Sequence, residues 1–229
     1  MGRSAVIGTI IQTRMGSSRL PGKILQPIAG KPLLDHILGR LTGLRHGVHI
    51  VVATSEQRRD DVVASFCAER AVDCFRGSED DVLGRYYKCA RARGFEQVVR
   101  LTADNPFTDI AELDRLIQFH LEHGYDYSCS SESLPIGVGA EIFTFAALER
   151  SFREGNAQHY REHVNEYVLE HPELFRIGRL SVPKNKHRPD VRLTVDTQED
   201  LDRARFVAAG ATGSWITTEE AIALCSRFA

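Results

Sequence analysis

Four short runs of apolar and β-branched residues, at 5–11, 48–53, 72–75 and 97–101, recur along the first hundred positions, separated by segments of helix length. Runs that are apolar on both faces must be covered on both sides, so these are strands of a sheet sandwiched between helices. In the first intervening segment Leu33, Leu34, Ile37, Leu38 and Leu41 mark one buried helical face over 32–44, with Pro32 suited to the first turn. Strand and helix alternating through short connections predict an α/β fold: a mainly parallel twisted sheet with helices on both faces. The 229 residues suffice for one such domain and are too few for two, so 1–229 is read as a single unit.

Open sheets of this kind bind ligands beyond the carboxyl ends of their strands. The first run ends in Gln12-Thr13-Arg14-Met15-Gly16-Ser17-Ser18-Arg19-Leu20-Pro21-Gly22-Lys23, which packs two arginines, a lysine, two serines and two glycines into one loop. Glycines let backbone N–H groups approach an anion, hydroxyls add donors, and fixed cations offset charge, as a polyphosphate requires. A solvated basic turn is the alternative for such a loop taken alone. It carries neither the Gly-Lys-Ser/Thr ending of a Walker A loop nor the G-x-G-x-x-G dinucleotide fingerprint.

The other strand ends are less distinctive. Thr54 and Ser55 suit either a ligand crevice or the cap of the next helix, 60–70. After the third run Ser78 reads as an N-cap, with Asp81 as the carboxylate three residues on, for a helix to about Arg93. Asp104 follows the fourth strand and precedes Asn105-Pro106; it either caps that turn or, beside a polyphosphate loop, holds Mg²⁺. A helix over 110–123 and a strand over 125–128 continue the pattern.

Past Ser130 the pattern changes to a turn-rich 134–139, a strand over 140–143, helices near 145–152 and 161–171, and an apolar stretch over 174–182. A final short strand, 191–195, leads into Asp196-Thr197, where Thr197 and Asp200 form a relative of the capping box for a helix to about Ala209. A last helix, 217–227, packs through Ile222 and Leu224.

Net charge of −2 gives no support to a nucleic-acid or membrane-surface partner. Met1-Gly2-Arg3-Ser4 runs straight into a strand without the sections of a signal peptide, and no apolar stretch reaches transmembrane length, so a cytoplasmic protein is expected. The five cysteines are scattered without a C-x-x-C pair and read as reduced packing residues; the histidines show no metal-ligand spacing.

The run R-M-G-S-S-R-L-P-G-K, followed by G-K-P-L-L, resembles the sugar-activating cytidylyltransferases, the superfamily of CMP-Kdo and acylneuraminate synthetases, and most closely its SpsF-like spore-coat polysaccharide branch. F-R-G-S-E-D-D-V-L-G-R-Y, L-T-A-D-N-P, R-E-H-V and R-L-T-V-D-T-Q-E-D-L match family motifs in order, from about Ile7 to Leu201. The resemblance implies a nucleotide-diphospho-sugar transferase (GT-A-like) fold and transfer of CMP from CTP to a small acidic or sugar-like acceptor, with release of pyrophosphate. It implies Mg²⁺ as cofactor on Asp104 and Asp196, and a homodimer.

The same resemblance implies that Arg14, Gly16, Ser17, Ser18, Arg19 and Lys23 hold the triphosphate, Arg14 and Lys23 offsetting its charge during catalysis. Ala53, Thr54, Arg76, Gly77, Ser78 and Asp81 would surround the nucleoside. Residues 130–186 would form a smaller acceptor-binding and dimerisation lobe, with Glu141, Arg161 and His163 at the acceptor. One departure stands out: Gly139 occupies the position where the family's G-x-D-x-E-v-F motif has aspartate, which removes a polar contact to the acceptor. Two competing functions are a glycosyltransferase or a nucleotidyltransferase of other base specificity, and a non-catalytic nucleotide-binding protein. Asp104-Asn105-Pro106 does not supply the D-x-D motif of the first, and the second would be expected to have lost a carboxylate or Lys23.

Overall fold

The computed structural model describes residues 5–228; Met1-Gly2-Arg3-Ser4, read above for the absence of a leader, lies outside them. In chain order the strands are β1 (Ile7–Gln12), β2 (Pro27–Ile28), β3 (Lys31–Pro32), β4 (His49–Ser55), β5 (Asp73–Gly77), β6 (Gln97–Thr102), β7 (Tyr127–Cys129), β8 (Glu141–Thr144) and β9 (Ile177–Arg179). The helices are α1 (Leu33–Leu41), α2 (Asp61–Glu69), α3 (Val82–Arg93), α4 (Ile110–His123), α5 (Phe145–Glu154), α6 (Gln158–Glu162), α7 (Glu166–Glu170), α8 (Gln198–Ala209) and α9 (Thr218–Cys225).

The four apolar runs become β1, β4, β5 and β6, parallel neighbours in a seven-stranded sheet of order β5-β4-β1-β6-β8-β7-β9. β8 alone is reversed: it pairs antiparallel with β6 on one side and β7 on the other, and β9 returns parallel to β7. The mainly parallel α/β sheet is therefore confirmed, with one inverted strand inserted after the fourth. β2 and β3 form a separate two-stranded ribbon.

Apolar side chains on both faces explain the layering. Ile11, Val52 and Val99 pack with Leu34, Ile37, Phe66 and Leu116 of α1, α2 and α4; Ile10, Val51 and Val98 pack with Leu83, Tyr86 and Leu148 of α3 and α5. A third cluster, including Ile28, Leu33, Val195, Leu201 and Ile222, fastens the ribbon to α8 and α9. Burial of this kind contributes about 25 cal/mol per Å² of apolar surface. Among the described residues no helix is long and apolar enough to cross a membrane.

Several boundaries differ from the sequence expectation. Asp81, not Ser78, caps α3: its Oδ1 accepts from the Gly84 N–H at 2.8 Å, while the Ser78 hydroxyl accepts from the Asp81 N–H at 3.1 Å. Ser78 thus folds a turn ahead of the helix, pinned by Arg85 donating to its carbonyl at 2.7 Å. The helix expected over 161–171 is broken into α6 and α7, because His163 is extended (φ −114°, ψ 105°) and the chain turns to bury Val164. The strand expected over 191–195 is an extended arm with a single parallel bridge, Ile136 to Arg192. Residues 130–186, expected as a smaller lobe, do not stand apart: they give β8 and β9 to the main sheet, and Phe152 of α5 stacks on Tyr87 of α3 at 4.5 Å between ring centres.

Candidate functional site

β1 and its neighbours end at one edge, and hydrogen bonds carry their register a residue further: Thr13 N–H donates to Ala53 O, and Ala103 N–H to Gln12 O. The loop after β1 is held from below by Asp60, fully buried ahead of α2. One Asp60 oxygen accepts from the Met15 N–H at 2.7 Å and the other from the Ser55 hydroxyl. The Met15 carbonyl accepts from Ser17 and Gly22, both at 3.0 Å, closing the loop on itself. That closure needs Gly22 at φ +72°, a conformation glycine adopts without penalty. A 3₁₀ turn, Lys23–Leu25, follows and sends the Lys23 side chain back beneath the loop.

There Lys23 is 9 % exposed, and its ammonium donates to Asp104 Oδ2 at 2.8 Å, Asp196 Oδ1 at 2.9 Å and Val195 O at 2.8 Å. Two acids far apart in sequence thus meet on one cation. Each is held independently. Asp104 accepts from Thr102 Oγ1 at 2.6 Å, and its carbonyl accepts from the Val195 N–H at 2.9 Å, which ties the two arms together. Asp196 accepts from Arg192 at 2.5 Å and lies 3.0 Å from Arg19. Partial burial works against ionisation of Asp196, but hydrogen bonds and charge from Lys23, Arg192 and Arg19 prevail and hold its carboxyl below the usual range. Beside it Asp200, also drawn down to about 2, accepts from the Asp196 and Thr197 N–H groups and closes the capping box of α8.

Arg14, Ser17, Ser18, Arg19, Lys23, Asp104 and Asp196 line one cleft of about 240 Å³, whose floor includes Gln12 and Thr102. Gly16 lies behind it, where a Cβ would come within 2.9 Å of Arg59; the Arg59 guanidinium pairs with Glu79. A second hollow of about 490 Å³ shares Arg14 with the first and is lined by Ser78, Asp81, Asn156 and Arg161. Arg161, expected at the acceptor, is therefore opposite the Ser78–Asp81 turn, 3.7 Å from Asp81 and donating to Phe152 O and Asn156 Oδ1.

Other expected residues are not brought to either cleft. Arg76 spends its guanidinium on the Ser55 and Gln57 carbonyls and on Asp61, at 2.7–3.0 Å. Gly77 accepts from the Glu56 N–H through its carbonyl, and Ala53 and Thr54 are fully buried behind the edge. Glu141 is buried and committed to Arg100 and Asn165, both at 2.7 Å. His163 is exposed on the α6–α7 link, 4.0 Å from Glu166. Gly139 has a packing reason: a Cβ there would meet the Ser131 backbone at 2.5–2.7 Å, so an aspartate would need the 130–139 turn to move.

Sequence reading missed Asp60, Arg59, Thr102 and Arg192. Arg192 was legible as a cation four residues before Asp196, whereas nothing marks Asp60 as the buried anchor of a loop 45 positions earlier. For a divalent ion the fitting donors are Asp104 and Asp196, hard carboxylate oxygens already converging on one positive charge. His159, Glu166 and Glu170, none of which lines either cleft, also gather, their ligand atoms within 4.8 Å of one another.

The profile of one protein family, described as cytidylyltransferase, matches residues 9–221. The spore coat polysaccharide biosynthesis protein SpsF of Bacillus subtilis is 36 % identical over 225 residues, covering 95 % of this chain and 93 % of that one. A 3-deoxy-manno-octulosonate cytidylyltransferase of Coxiella burnetii is 29 % identical, covering 86 % of this chain and 97 % of that one. Among solved structures, a cytidylyltransferase from Leptospira borgpetersenii superposes with a TM-score of 0.91 at 29 % identity, over 98 % of this chain and 95 % of that one.

Proposed function

We propose that this chain, which belongs to the cytidylyltransferase family, transfers CMP from CTP to an acidic sugar or related acceptor and releases pyrophosphate, with Mg²⁺ held by Asp104 and Asp196. It is a CTP-dependent nucleotidyltransferase. The observation that carries the finer reading is the meeting of Asp104 and Asp196 on Lys23, directly below the Arg14–Arg19 loop.

The chain's own groups divide the work. Arg14, Arg19 and the hydroxyls of Ser17 and Ser18 line the cleft from the loop side and would bind and orient the triphosphate. Lys23, anchored by its turn, would offset charge on the phosphates and on departing pyrophosphate. Bound Mg²⁺ would supply further neutralisation of phosphate oxygens. The acceptor oxygen attacks the α-phosphorus in line, and the protein's contribution is position and fixed charge. Arg14, shared by both hollows, would mark the joint between triphosphate and nucleoside, with Ser78, Asp81 and Arg161 around the nucleoside. Arg161 thus moves to the nucleotide's side in this reading, and Gly139 leaves the acceptor's polar contacts to other residues.

A pyrophosphate-release assay with Mg²⁺ and a panel of sugar-acid and polysaccharide-precursor acceptors, run with CTP beside ATP, GTP and UTP, tests the reaction. Release that requires both CTP and one acceptor is expected; equal release with all four nucleotides would overturn the base assignment. The resemblance also supports a homodimer, for which sedimentation should show a species of twice the chain mass.

A further inference from the structure

We propose that Lys23 is a latch on the carboxylate pair: its ammonium bars a divalent cation from Asp104 and Asp196 until a triphosphate in the loop above draws the amine away. Nucleotide binding then opens the metal site. The proposal rests on the reading of those two acids as metal ligands and concerns the order in which nucleotide and metal enter.

The geometry is specific. An ammonium has three N–H donors, and all three are committed here, to Asp104 Oδ2, Asp196 Oδ1 and Val195 O at 2.8–2.9 Å. The amine holds one oxygen of each acid, Asp104 Oδ2 and Asp196 Oδ1, both within 2.9 Å of Nζ. A magnesium-sized ion needs such oxygens at about 2.1 Å, which places it in the volume Nζ fills and against a like charge. Ammonium and ion therefore exclude one another.

Release requires no movement of the loop. Lys23 is fixed through its backbone, with Gln26 N–H on its carbonyl at 3.0 Å and its own N–H on Leu20 O at 3.2 Å, while its four-carbon stem carries the rotatable bonds that can move the amine. The amine lines the same cleft as Arg14, Ser17 and Ser18, so phosphate oxygens placed there offer it charged acceptors in exchange for the ones it leaves. What it leaves stays organised. Thr102 still holds Asp104 through Oδ1, and Arg192 still holds Asp196 through Oδ2, the oxygens the amine does not use. The acids then present two positioned oxygens with less cation around them. Linkage makes the effect reciprocal: metal on the acids keeps the amine on the phosphates.

Mn²⁺ binding to the full chain, followed by the loss of the free-ion EPR signal, with and without the uncleavable α,β-methylene analogue of CTP, tests this. Wild type should bind Mn²⁺ weakly alone and at least tenfold more tightly with the analogue. K23M should bind it at least tenfold more tightly than wild type without any nucleotide, and D104N added to K23M should remove that gain. K23R, which keeps the charge, should stay as weak as wild type. If K23M does not melt cooperatively, K23A takes its place. Unchanged Mn²⁺ affinity in K23M, with D104N still weakening Mn²⁺ binding beside the analogue, overturns the latch and leaves the metal assignment standing. D104N and D196N without effect on Mn²⁺ under either condition overturn the metal assignment, and the latch with it.

Discussion

At the residue scale the site depends on a few groups with more than one partner. Asp196 faces Lys23, Arg19 and Arg192, while Asp104 has Lys23 and Thr102. Asp104→Asn or Asp196→Asn should lower turnover roughly 100-fold or more, the scale of removing one preorganised charged group. Their melting temperatures should change far less than their turnover, because the amide keeps the shape and one accepting oxygen; steady-state pyrophosphate release beside a thermal melt reads both quantities. A different residue sets the acid response. Burial pushes His120 down to about 4, only weakly opposed by Asp126, and its ring nitrogens meet Ser128 Oγ and Gln97 Oε1 at 2.9 and 3.0 Å. The unfolded chain protonates this ring near 6.5 and the folded one near 4, so stability is full above 6.5 and declines as pH falls toward 4. The expected loss is roughly 3 kcal/mol. Urea titrations at pH 7 and 4.5 check the sign, and His120→Gln should flatten the difference even if it lowers stability at pH 7. Residue identity revealed the two acids and the loop cations. It did not reveal Arg76 turned to the α2 side or Glu141 locked in a buried pair, since motif position does not say which way a side chain points.

At the level of elements, strand endings decide what can meet, and two connections make the ends usable. The 134–138 turn grips the arm carrying Asp196 through Ile136 N–H on Val191 O at 2.8 Å and Leu193 N–H on Ile136 O at 2.9 Å. Gly137 sits at φ +91°, and a Cβ there would meet the Thr194 backbone at 2.6–2.8 Å. Gly137→Ala should therefore displace the arm, costing about 2 kcal/mol or more from strain at a special backbone angle. It should weaken turnover although position 137 lines neither cleft; a denaturant midpoint read beside pyrophosphate release measures both. Asp60→Ala should free the Met15 end of the phosphate-side loop and raise KM for CTP more than it lowers kcat, as steady-state kinetics would show, because it removes a buried acceptor from that loop's backbone. Periodicity located β1, β4, β5, β6 and α4 because their burial is continuous or one-sided. It missed the break between α6 and α7 because Val164 is apolar in either conformation, and it overread 191–195, whose apolar alternation is satisfied by packing against α8 and α9 rather than by a ladder.

For the whole molecule, the segment 130–186 is structural before it is anything else. It supplies β8, whose Ile142 and Phe143 are fully buried between β6 and β7, and α5, whose aromatic rings cover α3. A chain lacking 130–186 should not melt cooperatively, which differential scanning calorimetry would show as a missing transition; a sharp one would make this segment an appendage after all. The parallel half of the sheet was readable from alternation alone. Strand reversal was not, because β8 has the same apolar character as its neighbours, and its direction is set by the short path from β7. That reversal also changes polarity beside the crevice. Parallel strands deliver their last residues there, whereas β8 opens there, with Glu141 opposite Arg100 near the close of β6. The seam between the two directions is stitched shut by that buried acid and its arginine, so its polar groups answer each other and the hollow is left to the loops after β1 and β6.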